Sequence, residues 1–212
     1  MRKLVTVYVI REKEESKLRE LLYAFVREKI KNLTSYYGNI TFLKNINGKP
    51  YAVFPYEKNL VVPLFEKQQN EFTTGQALLF SPYISQWHFN ISHTEGVGVV
   101  VFSRTEIGVD IEWMDERKIC IADRFFCDKE REYIRMESEK SCVEKFYEVW
   151  TQKEALIKFR GESISRLRMF DVKSGNIREN LLSKKYMDYM VSVCCKKKDG
   201  QIDFREICNY GR

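Results

Sequence analysis

Residues 4–10 are an unbroken apolar run rich in Val, Ile and Tyr, and predict a strand. From residue 15 to about 32, Leu18, Leu21, Leu22, Phe25 and Ile30 recur at helical spacing. Arg19, Arg27, Lys29 and Lys31 fall elsewhere on the circumference, so an amphipathic helix is expected, closed by Tyr37-Gly38-Asn39. A short strand over 40–43 leads to the turn Asn47-Gly48-Lys49-Pro50. Residues 55–87 hold the other prolines, Pro55, Pro63 and Pro82, with many aromatics and little helical period, and predict an irregular insertion. The pattern sharpens beyond it. Strands are expected over 89–92, 98–102 and Ile107–Trp113, then a linker at 115–117, helical stretches over 121–126 and 129–136, and a long helix over 141–159 ended by Gly161. Strands are expected over 170–173, 187–196 and 202–207, with Asp199-Gly200 as a hairpin turn between the last two. Helices and antiparallel strands in each half predict an α+β chain, with one half over 1–114 and the other over 115–212.

The 212 residues suffice for one large or two small domains with a real core, and an aromatic share of 14% favours a packed chain over a disordered one. The formal net charge of +6 favours anionic partners, without choosing among nucleic acid, phosphorylated small molecules and acidic proteins. The cationic residues are dispersed and form no long basic tail. None of the six cysteines makes a C-x-x-C pair, which argues against a zinc ribbon or a thioredoxin-type site. The apolar start is too short, and too soon followed by charge, for a signal peptide or membrane span. A reduced, cytoplasmic protein is expected.

Three segments carry candidate chemistry. In Ile107-Gly108-Val109-Asp110-Ile111-Glu112, alternation turns Ile107, Val109 and Ile111 inward and places Gly108, Asp110 and Glu112 on the other face. Carboxylates two residues apart on a strand stand roughly 6.5–7 Å apart, within reach of one hard cation, and Gly108 leaves room for a ligand beside them. A solvated strand face is the alternative. On the long helix, Glu154 falls on the apolar stripe of Val143, Phe146, Tyr147, Trp150 and Ile157, where a carboxylate is costly unless paired or metal-bound. A surface Glu–Lys pair with Lys158 is the alternative there. Third, Phe89-Asn90-Ile91-Ser92-His93 ends a strand with a hydroxyl and an imidazole, either as donors to a phosphate or as an ordinary loop. No G-x-x-x-x-G-K-[ST] loop and no G-x-S-x-G elbow is present.

In order and spacing these segments, with Trp150-Thr151-Gln152-Lys153-Glu154-Ala155-Leu156-Ile157-Lys158, Arg124-Phe125-Phe126 and Gly48-Lys49-Pro50, resemble the 4′-phosphopantetheinyl transferases of the surfactin-synthetase-activator type over about 40–212. The resemblance implies two similar α+β halves related by a pseudo-two-fold, with coenzyme A between them. It implies a transferase that moves the phosphopantetheine arm of coenzyme A to a serine of an acidic acyl or peptidyl carrier protein, releasing 3′,5′-ADP. It further implies that Asp110, Glu112 and Glu154 bind magnesium, that Lys153 and Lys158 hold phosphates, that Ser92, His93 and Arg19 contact the 3′-phosphorylated nucleotide, and that Lys49 lies near the adenine. Glu154, or a water it orients, is the candidate base, and Lys158 shares the catalytic role. A monomer is expected, with no nucleic acid and no membrane partner. Three rivals stand against this: an anion- or RNA-binding module without activity, an inactive family-like partner protein, and the smaller trimeric type of holo-carrier-protein synthase. Uncompensated carboxylates at the centre oppose the RNA reading, and a separate first half opposes the trimeric type.

Overall fold

The computed structural model describes residues 3–54, 83–84, 87–135, 139–196 and 200–207. Strand β1 (Lys3–Arg11) and helix α1 (Glu15–Thr34) are followed by β2 (Thr41–Lys44), β3 (Pro50–Phe54) and the short β4 (Tyr83–Ile84). Next come β5 (His88–Thr94), β6 (Val97–Ser103) and β7 (Ile107–Trp113). A 3-10 turn (Glu116–Ile121) leads into α2 (Ala122–Phe125), α3 (Asp128–Arg135) and the long α4 (Glu139–Arg160). A second 3-10 turn (Ile164–Met169) precedes β8 (Asn180–Tyr186), β9 (Tyr189–Cys195) and β10 (Gly200–Glu206). This is the α+β chain expected. Most of the insertion read over 55–87, and Asp199, lie outside the described residues.

Three sheets form. The first has the order β10-β1-β6-β5, the second β2-β3-β4 and the third β7-β9-β8. Alternation along the strands decides how they stack. Val7 and Val9 of β1 and Val99 and Val101 of β6 meet Val109, Ile111, Val191 and Val193 in one core between the first and third sheets. The opposite face of the first sheet, through Ile10, Phe89 and Val100, packs on Leu18, Leu22, Phe25, Val26 and Ile30 of α1. The outer face of the third sheet packs on α4 through Cys194, Ala155, Leu156 and Phe159. The layers therefore run helix, sheet, sheet, helix.

Two expectations are corrected. The last two strands do not form a hairpin: β9 lies between β7 and β8, and β10 runs parallel to β1, pairing Val5 with Ile202 and Val7 with Phe204. The strand expected over 170–173 is irregular; the strand in that region is β8, joined to β9 by a tight turn in which Met187 takes φ 51°. Hydrogen bonding also crosses the expected boundary at 114/115, because β7 pairs with β9 and β10 with β1.

Candidate active site

The site forms where β5, β7 and α4 meet. The Asn90 side-chain oxygen accepts the Val109 N–H at 2.9 Å, so a side chain extends the hydrogen bonding from β5 to β7. Two residues on, Ser92 Oγ donates to Asp110 Oδ1 at 2.8 Å. Lys158, near the C-terminal end of α4, donates to the same oxygen at 2.7 Å and to Ser92 Oγ at 2.9 Å. Asp110 is buried, only 3% exposed, while Lys158 keeps a path to solvent. The second carboxylate oxygen, Asp110 Oδ2, is buried without a hydrogen-bond partner. An anionic oxygen in that state is costly unless a cation relieves it.

Glu112 and Glu154 complete the cluster electrostatically. Burial and the neighbouring Asp110 push the Glu112 carboxyl above its ordinary value. Burial pushes Glu154 up to about 7, with Asp110 and Glu112 adding to the rise and Lys158 opposing it. Asp110 thus raises the proton affinity of both glutamates, and the charge of Lys158, joined at Glu112 by that of Lys118, opposes the rise. Among the described residues, no three Asp, Glu, His or Cys side chains form a ready-made metal cage. The donor set instead fits a hard divalent cation whose shell is finished by substrate phosphates and water, with the buried, unbonded Asp110 Oδ2 as one of its oxygens.

The glycine in this strand has a different task from the one expected. A Cβ on Gly108 would overlap the Ala155 carbonyl oxygen and stand 2.5 Å from Phe159 N. Its bare backbone admits the backbone of α4 rather than a ligand, and so brings Glu154 and Lys158 down onto β7.

The other expected residues separate into groups. His93 lines a depression with Lys13, Glu15, Leu18 and Gly96 beside the α1 N-terminus. Burial, then the charges of Arg19 and Lys158, hold its imidazole below the ordinary value, with Glu15 opposing them. Arg19 is exposed and pairs with Glu15 at 2.9 Å. Lys49 binds the Glu106 carboxylate and donates to the Phe159 carbonyl at 2.9 Å, while Asn47 Nδ2 donates to the Gly161 carbonyl at 2.5 Å, so this turn closes the C-terminal end of α4. Lys153 does not reach Asp110. It is wholly buried on the opposite side of α4, donating to Glu130 Oε1 and Oε2 at 2.7 and 2.6 Å and to the Phe170 carbonyl at 2.7 Å. All three ammonium donors are occupied, which leaves none for a phosphate.

Glu130 and Asn90 received no role from the sequence. Glu130 lies in a charged helix with nothing to mark it as buried. Asn90 had a signal, a polar residue at an inward-facing strand position.

The segment 106–205 matches the model of the 4′-phosphopantetheinyl transferase superfamily. The chain is 29% identical over 155 residues to the 4′-phosphopantetheinyl transferase gsp of Aneurinibacillus migulanus, covering 73% of this chain and 52% of that one. It is 36% identical over 84 residues to the transferase ffp of Bacillus subtilis, 40% of this chain and 38% of that one. It is 33% identical over 84 residues to the transferase Sfp of the same species, with the same coverage. Residues 106–205, just under half of the chain, therefore carry the likeness to the 4′-phosphopantetheinyl transferase superfamily. The chain aligns with about half or less of the length of these relatives. The matched family segment contains Asp110, Glu112, Lys153, Glu154 and Lys158, whereas Arg19, Lys49, Ser92 and His93 lie before it. No described helix is long and apolar enough to cross a membrane.

Proposed function

We propose that this chain transfers the 4′-phosphopantetheine arm of coenzyme A to a serine of an acidic acyl or peptidyl carrier protein. The observation that carries the reading is the buried Asp110, bonded on one oxygen to Ser92 and Lys158 and bare on the other, beside Glu112 and Glu154 in the segment that matches this family. Asp110, Glu112 and Glu154 would hold magnesium, which when bound supplies positive charge to the pyrophosphate oxygens. Lys158, free to exchange Asp110 for a phosphate oxygen, steadies the charge that builds as the pyrophosphate is cleaved. His93 and Arg19 meet the 3′-phosphorylated nucleotide at the start of α1, and the neutral imidazole can donate to the phosphate. Lys49, with its partner Glu106, is the cation on the adenine side.

The acceptor serine attacks the β-phosphorus, the bond from that phosphorus to the bridging oxygen breaks, and 3′,5′-ADP leaves. The serine proton passes to Glu154, directly or through a water. A carboxylate whose proton affinity lies near neutrality suits that task. The reading includes two halves, 1–114 and 115–212, related by a pseudo-two-fold. Its support is a shared device: Gly98 of β6 lies under Leu22 of α1, as Gly108 of β7 lies under α4. The expected setting is a monomer in the cytoplasm. Chromatographic detection of 3′,5′-ADP tests the reaction. Product that requires both the apo carrier and magnesium supports it, and product formation unaffected by omitting the carrier contradicts it.

A further inference from the structure

A row of polar side chains crosses the third sheet on the face toward α4. Asp110 of β7 is the register partner of Ser192 of β9, and Ser192 is the partner of Ser183 of β8. Asp110 meets Lys158 of α4, and Ser192 meets Thr151 about two turns earlier on the same helix, with the hydroxyl oxygens 2.7 Å apart. Thr151 and Ser192 are wholly buried and Asp110 nearly so, which leaves the two hydroxyl protons to protein acceptors rather than to water.

A hydroxyl has one proton to give, and the partners fix its direction at each step. A carbonyl oxygen only accepts, so the Thr151 proton goes to the Tyr147 carbonyl at 2.7 Å. The bond between Thr151 and Ser192 is therefore donated by Ser192. With that proton used, the 2.8 Å bond between Ser183 and Ser192 is donated by Ser183, whose oxygen accepts from Gln152 Nε2 at 2.8 Å. Donation thus runs one way, from Gln152 through Ser183 and Ser192 to Thr151 and the helix backbone.

This direction matters to Asp110. On one flank of β7, β5 supplies Ser92, which donates to Asp110 Oδ1. On the other flank, β9 supplies Ser192, whose proton is turned away to Thr151, and Asp110 Oδ2 has no hydrogen bond. Directly paired residues on one face have Cβ atoms roughly 4.5–5.5 Å apart, so a serine proton not otherwise taken can reach a carboxylate there. We infer that Thr151 is a positioning residue for the cation site: by accepting the Ser192 proton, it keeps Asp110 Oδ2 open to a metal ion. The inference rests on the reading that Asp110, Glu112 and Glu154 hold a divalent cation.

Titration of Mn²⁺ into the full chain without substrate, followed by the paramagnetic resonance signal of the free ion, measures metal affinity directly. The parent should bind Mn²⁺. Thr151→Val keeps the shape of the side chain and removes the acceptor, so the Ser192 proton turns to Asp110. Affinity should fall about tenfold, the scale of one hydrogen bond to a charged group. Thr151→Ser restores the acceptor and should bind within about twofold of the parent. Thr151→Val combined with Ser192→Ala has no proton to turn and should recover to the same range. A role confined to fastening α4 to the sheet would instead leave the double variant at least as weak as the single one. The denaturation midpoint shows which variants are folded, and Thr151→Ala, which lacks the same hydroxyl, replaces Thr151→Val if that variant is not. Unchanged affinity in the single variant, or no recovery in the double variant, would overturn the inference while parent binding leaves the cation site standing. A parent that binds no Mn²⁺ would overturn the cation reading and the inference with it.

Discussion

Replacing Lys153 by Met separates two accounts of the lysine beside Glu154. In the structure, Lys153 and Glu130 are both wholly buried and the pair is closed on every side. Glu130 Oε1 also accepts the Val172 N–H at 2.8 Å and Oε2 the Cys127 N–H at 2.8 Å, so this ion pair ties α3, α4 and the segment after the second 3-10 turn together. Met matches the lysine stem and leaves a carboxylate without its counter-charge. Breaking a buried pair from one side costs about 3–5 kcal/mol, because the remaining charge is stranded. In a chain of this size that is a fall in Tm on the order of 10 °C. Adding Glu130→Gln should recover part of the loss, since the amide is neutral and its oxygen still accepts one backbone N–H. Urea denaturation of the parent, both single variants and the double variant measures this directly. At a temperature where Lys153→Met is folded, its KM for coenzyme A should stay within about twofold of the parent. A stability loss under about 1 kcal/mol, together with a KM raised tenfold or more, would refute the reasoning and make Lys153 a phosphate ligand.

Asp110→Asn should abolish transfer while circular dichroism stays that of the parent; turnover within tenfold of the parent would remove Asp110 from the site. His93→Ala should raise KM for coenzyme A severalfold and change kcat little, as initial-rate kinetics would show. Gly108→Ala sets a methyl against the backbone of α4, which cannot yield as a side chain would, and should cost about 1–3 kcal/mol or more in urea denaturation. Glu106 gives a pH signature. Burial raises its pKa, but hydrogen bonds from His88 and Lys49 outweigh this and hold it at about 2 against an ordinary 4.5. A depressed carboxylate contributes stability above the unfolded value, so the advantage of the parent over Glu106→Gln should be complete above pH 4.5 and fade as the pH falls toward 2. With 41% of the side chain exposed, solvent screening keeps that advantage small.

The sequence made local elements and the carboxylate cluster legible, because both follow from periodicity. The helix expected over 15–32 is α1 at Glu15–Thr34, and the alternation in β7 places Ile107, Val109 and Ile111 in the core with Asp110 on the α4 side. Pairing between distant segments was not legible. Nothing local distinguishes a β10 that returns to β1 from one that folds back on β9, since either arrangement buries Ile202. The β8–β9 turn was hidden because Met187 adopts a left-handed φ without being Gly or Asn. The pairing of Lys153 was not legible for a related reason: its partner Glu130 lies 23 residues earlier, in α3, and nothing local in the sequence joins the two.

The central claim is best tested by intact-mass spectrometry of an apo acyl or peptidyl carrier protein incubated with this chain, coenzyme A and magnesium, beside an EDTA control and Glu154→Gln. The account predicts that the carrier gains the mass of one phosphopantetheine arm, and that EDTA or Glu154→Gln prevents the gain. A gain that persists in EDTA, or one that Glu154→Gln leaves untouched, would contradict the site described here. An unmodified carrier across fatty-acid, polyketide and nonribosomal-peptide types would contradict the activity itself.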